Sequence, residues 1–387
     1  MDDQSYGPRC SPRAQIANFL AMEMARAASA RAAAGERIVR FDVGQPWTGA
    51  PDAAIAAVRE AVGQDPLGYT DALGSHRLRE AIAEHYEDAY GVAIGPERIA
   101  VTTGASGAFT LAFLSLFDTG DRVAMSAPGY PPYRHILAAL GMRAAIVEAQ
   151  GDRLQLHPSH LGDFADLAGV LIASPANPTG SMLRKDELAA LSQAAGARGI
   201  PLVSDEIYHG LVYEQPAVSA LCVDPKAIVV NSFSKYWAMT GWRVGWIAAP
   251  AHLIGPIERL AQNLTVSPPN VSQVAAFAAL KAKEECEARR AVYARNRAML
   301  LEAAPQLGLP LAAPADGAFY MLLDVAAHAH DSMEFCQNAL ARAGVALTTG
   351  IDFDEARGRR WVRLAYARET EEVEEGLHRL RRWLTAG

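Results

Sequence analysis

Between about residues 98 and 250, short apolar runs alternate with stretches of helical periodicity. The runs are Arg98-Ile-Ala-Val-Thr, Arg122-Val-Ala-Met-Ser, Gly169-Val-Leu-Ile-Ala, Ile200-Pro-Leu-Val-Ser, Ala227-Ile-Val-Val-Asn and Val244-Gly-Trp-Ile-Ala. Buried strands alternating with helices predict an α/β fold whose mainly parallel sheet is covered on both faces. Ahead of it, residues 14 to about 34 are alanine-rich, with Ile16, Phe19, Leu20 and Met24 at helical spacing and Gly35 as a stop. That pattern predicts a helical docking arm. Beyond about 280 the pattern changes to an Arg/Glu-rich helix, strands near Ala318-Phe-Tyr-Met-Leu and Trp361-Val-Arg-Leu-Ala, and a closing helix. The last helix takes Thr370 as its N-cap, with Val373, Leu377, Leu380 and Leu384 along one face. The expected organisation is a large domain at 47–280 and a smaller α+β domain formed by 1–46 and 281–387.

The residues just past the carboxyl end of each predicted strand matter most. Ser106 comes after the first, Tyr130 after the second, Asn177 after the third, Asp205 after the fourth, and the cluster Ser232, Ser234 and Lys235 after the fifth. Ligands of open α/β sheets bind outside the carboxyl ends of the strands, so five separate loops deliver polar or aromatic groups to one crevice.

Composition narrows the setting. Half of the 387 residues are apolar, yet no run of eighteen spans a bilayer. The acidic start Met1-Asp2-Asp3-Gln4 has no apolar leader, which predicts a cytoplasmic protein. Cys10, Cys222, Cys286 and Cys336 lie far apart without a C-x-x-C pair, against both a metal site and a disulfide framework. A net charge of −7 with no basic block leaves no footprint for nucleic acid, so an anionic ligand needs locally placed groups.

Lysine is scarce here, with five residues among 36 lysines and arginines. Where a plain positive charge suffices the chain uses arginine, so Lys235 is singled out by its chemistry. A lysine that is desolvated or set beside another cation becomes a neutral amine able to attack a carbonyl, which arginine cannot do. An arbitrary lysine after a strand is a surface residue; the flanking serines and tryptophans and the arginine at 243 argue otherwise. Asp205 ends an apolar strand and can pair with a pyridine nitrogen, although a helix cap is the ordinary role of such an acid. Asn177, in a turn-forming sequence, and Tyr208, three residues beyond Asp205 on a starting helix, can donate to a phenolic oxygen. Tyr130 sits on a Pro-rich loop with a face for ring stacking. Ala105 and Ser106 present amides where a strand meets a helix, and Arg243 with the Ser232 and Ser234 hydroxyls completes a phosphate cradle. The carbonyl that these groups suit is the aldehyde of pyridoxal phosphate. A nicotinamide-binding reading of Thr103-Gly-Ala-Ser-Gly107 fails, because the third glycine is missing and none of the twelve tyrosines has a lysine four residues downstream.

Taken together, Gly44, Tyr69-Thr70, Thr103-Gly-Ala-Ser-Gly, Asn177-Pro-Thr-Gly180, Asp205-Glu-Ile-Tyr208, Ser232-Phe-Ser-Lys-Tyr-Trp-Ala-Met-Thr-Gly-Trp-Arg-Val-Gly245 and Trp361-Val-Arg-Leu-Ala resemble the class I/II aminotransferases of pyridoxal phosphate fold type I. The resemblance runs through nearly the whole chain in the family's order. It implies a seven-stranded, mainly parallel sheet and a homodimer with shared active sites. Lys235 would be the Schiff-base lysine, Asp205 the partner of the ring nitrogen, and Asn177 and Tyr208 the donors to the phenolic oxygen. Tyr130 would stack on the ring, while Ala105, Ser106, Ser232, Ser234 and Arg243 hold the phosphate. Arg363 would clamp the substrate carboxylate with Asn177 and the Gly44 amide, and Tyr69 would reach the neighbouring subunit's phosphate. Two stretches depart from the family's pattern: Tyr236-Trp237 after the lysine, and Thr349-Gly-Ile-Asp-Phe-Asp354 in place of Pro-Gly-x-x-Phe-Gly. Both bear on substrate preference.

The expected activity is amino acid:2-oxo acid transamination by ping-pong chemistry through a Lys235 internal aldimine. A β/γ-lyase or cyclising enzyme uses the same electron sink and is the alternative. A non-catalytic sensor of this fold would carry a basic module ahead of the domain, and only about 40 residues precede Gly44. No second arginine can be assigned to a side-chain carboxylate, so aspartate, alanine, aromatic and branched donors all stay open.

Overall fold

The computed structural model describes residues 10–18 and 20–385. Helix α1 (Leu20–Ala33) and strand β1 (Val39–Arg40) precede helices α2 (Asp52–Gln64) and α3 (His76–Tyr90). Then come β2 (Ile99–Thr102), α4 (Gly104–Leu116), β3 (Arg122–Ala127), α5 (Pro132–Ala139), β4 (Arg143–Glu148) and β5 (Leu167–Ala173). They are followed by α6 (Lys185–Ala197), β6 (Leu202–Asp205), β7 (Ile228–Ser232) and β8 (Gly245–Ala248). Helices α7 (Ala251–Leu264), α8 (Asn270–Ala279) and α9 (Lys283–Gln306) lead to β9 (Tyr320–Asp324) and α10 (Ser332–Asn338). The chain closes with β10 (Val345–Ala346), β11 (Thr348–Thr349), β12 (Trp361–Ala365) and α11 (Thr370–Thr385).

Seven strands form one sheet in the order β2-β8-β7-β6-β5-β3-β4. Only β8 runs against its neighbours; every other pair is parallel. The expected mainly parallel seven-stranded sheet is therefore present. Phe109, Leu111 and Phe113 of α4 cover one face over Val203, Val230 and Ile247. Leu188 and Leu191 of α6 cover the other over Val170 and Ile172. Burial on both faces explains the continuous apolar runs.

Strand β4 lies outside the six runs. It is the sheet edge, paired only with β3, and alternates exposed Arg143, Ile146 and Glu148 with buried Ala145 and Val147. An edge strand with one covered face does not read as an apolar run.

A three-stranded antiparallel sheet, β11-β12-β9, and a parallel pair, β1-β10, lie outside the large sheet. Val39 pairs with Val345, and the Phe41 carbonyl accepts the Ala365 amide at 2.8 Å, so the segment leading to Gly44 is stitched to the C-terminal part of the chain. The arm helix starts later than its periodicity suggests: a 3-10 turn at Pro12–Ala14 comes first, and α1 begins at Leu20. Phe19 and the acidic start lie outside the described residues. Thr370 is the first residue of α11 rather than its cap, and its hydroxyl donates to Asn296 Oδ1 at 2.9 Å. Among the described residues no helix is long and apolar enough to cross a membrane.

Candidate active site

The carboxyl ends of the central strands, the segment after β1 and strand β12 converge on a cavity of about 230 Å³. Lys235, Asp205, Asn177, Tyr208, Tyr130 and Arg363 all line it, as do Gly44, Ala105, Ser106, Ser234 and Arg243.

Lys235 lies in the β7–β8 connection, in which Ala238 and Arg243 take left-handed backbone angles (φ 53° and 52°). Its Nζ donates to the Gly44 carbonyl at 2.8 Å. Burial, then the nearby Arg363 and Arg243 cations, lower its pKa to about 8, against a weaker pull upward from Asp205. Its neutral form is therefore reached closer to neutral pH than for an ordinary lysine.

Asp205 ends β6 and is buried; its Oδ2 accepts from the Tyr133 hydroxyl and its Oδ1 from the Ile207 amide at 3.0 Å. Burial still raises its pKa to about 6, over the opposing effect of both donors. A cationic N–H against this carboxylate would return it to its ordinary ionisation. Residues 207–210 after it form a turn, not the expected start of a helix. Tyr208 nonetheless reaches the cavity, with its hydroxyl 2.9 Å from that of Tyr320.

The Arg363 guanidinium donates to Asn177 Oδ1 at 3.0 Å and to the Asp42 carbonyl at 2.8 Å. Since guanidinium only donates, the oxygen of Asn177 must face it, and the NH₂ of Asn177 is left to donate elsewhere. Arg363 lies 4.6 Å from the Tyr320 ring and 5.0 Å from that of Phe353, which fixes its plane. Its Nε is buried without a partner, a donor suited to a carboxylate. Gly44 is required sterically: a Cβ there would lie 2.0 Å from Tyr320 Oη.

At the opposite end α4 begins at Gly104, whose φ is +73° and whose added Cβ would meet Arg243 Nη2 at 2.6 Å. A guanidinium is thus packed on a helix N-terminus, and the two together favour an anion. Ser232 does not line the cavity; its hydroxyl donates to the Val244 carbonyl at 2.9 Å and lies 2.9 Å from Ser234 Oγ, which does. Tyr69 is 87 % exposed and lies outside this cavity.

Tyr133 and Tyr320 also line the site, and neither carries a sequence signal of it. Tyr133 stands three residues after Tyr130, buried in the first turn of α5, and Tyr320 sits in what reads as a core strand. Trp237 and Tyr236 do not line the cavity: Trp237 packs on Phe233 at 4.9 Å, and the Tyr236 hydroxyl donates to Glu287 at 2.7 Å.

Residues 36–380 match the family described as aminotransferase class I and II. The chain belongs to that family. It is 44% identical over 384 residues to the valine–pyruvate aminotransferase of Mycobacterium tuberculosis, covering 97% of this chain and 98% of that one. The aspartate/prephenate aminotransferase of Thermus thermophilus is 33% identical, with 96% of each chain covered. A crystal structure of an aminotransferase from Mycobacterium tuberculosis superposes with a TM-score of 0.96 at 43% identity, covering 98% of this chain and 100% of that one. This aminotransferase therefore moves an amino group between amino acid and 2-oxo acid and uses pyridoxal phosphate. The cavity fits that cofactor: an amine of lowered pKa, a buried acid lacking a cation, a free amide NH₂ and an anion cradle face one space. Pyridoxal phosphate supplies the electron sink. Among the described residues no cluster of His, Cys, Asp or Glu could hold a metal.

The pKa of Lys235 sets an expected result. Uptake of pyridoxal phosphate by the cofactor-free protein should quicken as pH rises toward about 8 and level off above it, followed by absorbance. A midpoint at the ordinary lysine value of 10.5 would show that burial and the guanidiniums do not act on Nζ. Between these two values the folded lysine is neutral while the unfolded one keeps its proton. The cofactor-free protein should therefore gain stability as pH rises through that window.

Proposed function

We propose that the amino donor is a small apolar amino acid of the valine class and the acceptor a short 2-oxo acid such as pyruvate. The observation that carries this is the distribution of charge around the cavity. Among the described lining residues the cations are Lys235, Arg243 and Arg363, and the lining also includes the apolar Ala21, Met22, Ala25, Val43 and Ile136. Arg363 serves the α-carboxylate, which leaves no cation for a second one. The similarity to a valine–pyruvate aminotransferase points the same way.

In this reading Arg363, Asn177 and the Gly44 amide hold the carboxylate and turn the Cα–H toward Lys235. The neutral Nζ would take that proton from Cα and, as an ammonium, deliver it to the cofactor's C4′, so that the amino group leaves the substrate. Asp205 keeps the ring nitrogen cationic, Asn177 and Tyr208 donate to the phenolic oxygen, and Tyr130 stacks on the ring. Ala105, Ser106, Ser234 and Arg243 hold the phosphate, with Ser232 orienting Ser234. Arg243 and Tyr69 are both exposed in a single subunit. A homodimer in which Tyr69 of each subunit closes the other's phosphate end accounts for both. We place the large cofactor-binding domain at 47–280, the small domain at 1–46 and 281–387, and the enzyme in the cytoplasm.

The test is a spectroscopic scan of amino acids in the first half-reaction. Valine should discharge the cofactor with a kcat/KM at least about 100-fold above that of aspartate, whose second carboxylate would be buried unpaired. An aspartate preference would overturn the proposal.

A further inference from the structure

The stretch Thr349 to Asp354 ties the carboxylate clamp to the arm helix. Asp352 is 4 % exposed, and its carboxylate accepts the Leu20 amide at 3.0 Å and the Ala21 amide at 2.6 Å. These are first-turn N–H groups of α1, which have no partner within the helix. The Asp352 carbonyl accepts from Arg134 of α5 at 2.8 Å, and the next residue, Phe353, lies under Arg363 at 5.0 Å. The Phe353 carbonyl accepts the Gly129 amide at 2.9 Å, beside Tyr130. One short segment therefore contacts the start of α1, the helix that supplies Ile136 and the arginine of the clamp.

What α1 brings to the cavity is apolar and graded in size. Ala21, Met22 and Ala25 line it, with Met22 and Ala25 three residues apart on one helical face. Met22 is 57 % exposed, so its flexible side chain sits at the rim rather than in the packed core. Ile136 lines the same cavity, and a donor's side chain would meet these apolar groups.

We infer that α1 is the wall that selects the donor's side chain, that Asp352 is the positioning residue holding it in place, and that Met22 sets the accepted length. This rests on the apolar-donor reading above. Asp352 touches neither Lys235 nor the phosphate cradle, so its removal acts on selection and not on cofactor retention.

The experiment measures kcat and KM for alanine, valine, leucine and aspartate in wild type, Asp352→Asn, Asp352→Ala and Met22→Ala holoenzymes, with cofactor dissociation measured alongside. Asp352→Ala should raise the KM for valine about tenfold, as loss of a helix cap would, with little change in kcat. Its valine-to-alanine discrimination should fall and its cofactor affinity stay the same. Asp352→Asn keeps one acceptor oxygen and should lie between. Met22→Ala, a change at an exposed position, should shift preference from valine toward leucine and keeps the inference testable if Asp352→Ala does not fold. Unchanged selectivity in Met22→Ala, or in a folded Asp352→Ala, overturns the inference, as does loss of cofactor with selectivity intact. A wild-type preference for aspartate would instead remove the apolar-donor reading. The variants would then still report whether α1 selects, through the KM of whichever donor is used.

Discussion

Replacing Lys235 with alanine is expected to lower turnover by more than about 10⁴-fold while leaving a folded protein. Lys235 is the only lysine among the described residues lining the cavity; Lys185, Lys226, Lys281 and Lys283 are all exposed. Among the described residues no other amine lines the cavity that would hold the substrate's Cα. The structural cost is small, because the one hydrogen bond from Nζ goes to the Gly44 carbonyl. Removing a desolvated amine that faces Arg363 and Arg243 relieves repulsion, so thermal stability of the cofactor-free variant near neutral pH should match or exceed wild type. Steady-state rates and thermal melts check both halves. Mass analysis after borohydride treatment with the cofactor should show an adduct at residue 235 in wild type alone. An active variant, or an adduct on another lysine, would remove the assignment.

The second large effect is expected at Asp205. Asp205→Asn keeps the shape and an acceptor for the Ile207 amide but loses the charge proposed to hold the ring nitrogen protonated, and kcat should fall about 10³-fold. The cofactor should remain bound through the phosphate end. Stability should move the other way. In the cofactor-free fold burial raises Asp205 from 3.8 to about 6, so its contribution is full below the lower value and lost as pH rises through the higher one. Above pH 6 the asparagine variant without cofactor should therefore be the more stable protein. Denaturation of both proteins at pH 5 and 8 tests this: a variant less stable than wild type at pH 8 would mean that Asp205 is not a strained acid.

These two residues are legible in the sequence because each ends a run whose apolar character is itself a local signal. Buried parallel strands write a continuous pattern, and the rule that ligands sit at their carboxyl ends carries a position in the chain to a position in space. Arg363 is legible by a different route, as part of a strand motif resembling the family's. Tyr133, Tyr320 and Asp352 are not, because buried tyrosines in helices and strands and a single acid in a turn are common, and their partners lie far away in the chain. Asp205 is 72 positions from Tyr133, and Asp352 is 331 from Ala21. Trp237 shows the converse: a conspicuous residue beside the reactive lysine is packed on Phe233 and Trp246.

By itself the chain determined the alternation of strands and helices, the mainly parallel sheet, and the lysine, acid, amide and Arg243 that suit one cofactor. Those features are local in sequence, being set by periodicity, residue chemistry and spacing over a few turns or strands. Only the tertiary structure decided that β4 closes the sheet edge, that Tyr133 holds Asp205, that Tyr320 packs on Gly44, and that α1 is fastened over the cavity by Asp352. Each is a pairing between distant segments, whose geometry comes from how helices and sheets pack and leaves no pattern in the neighbouring residues.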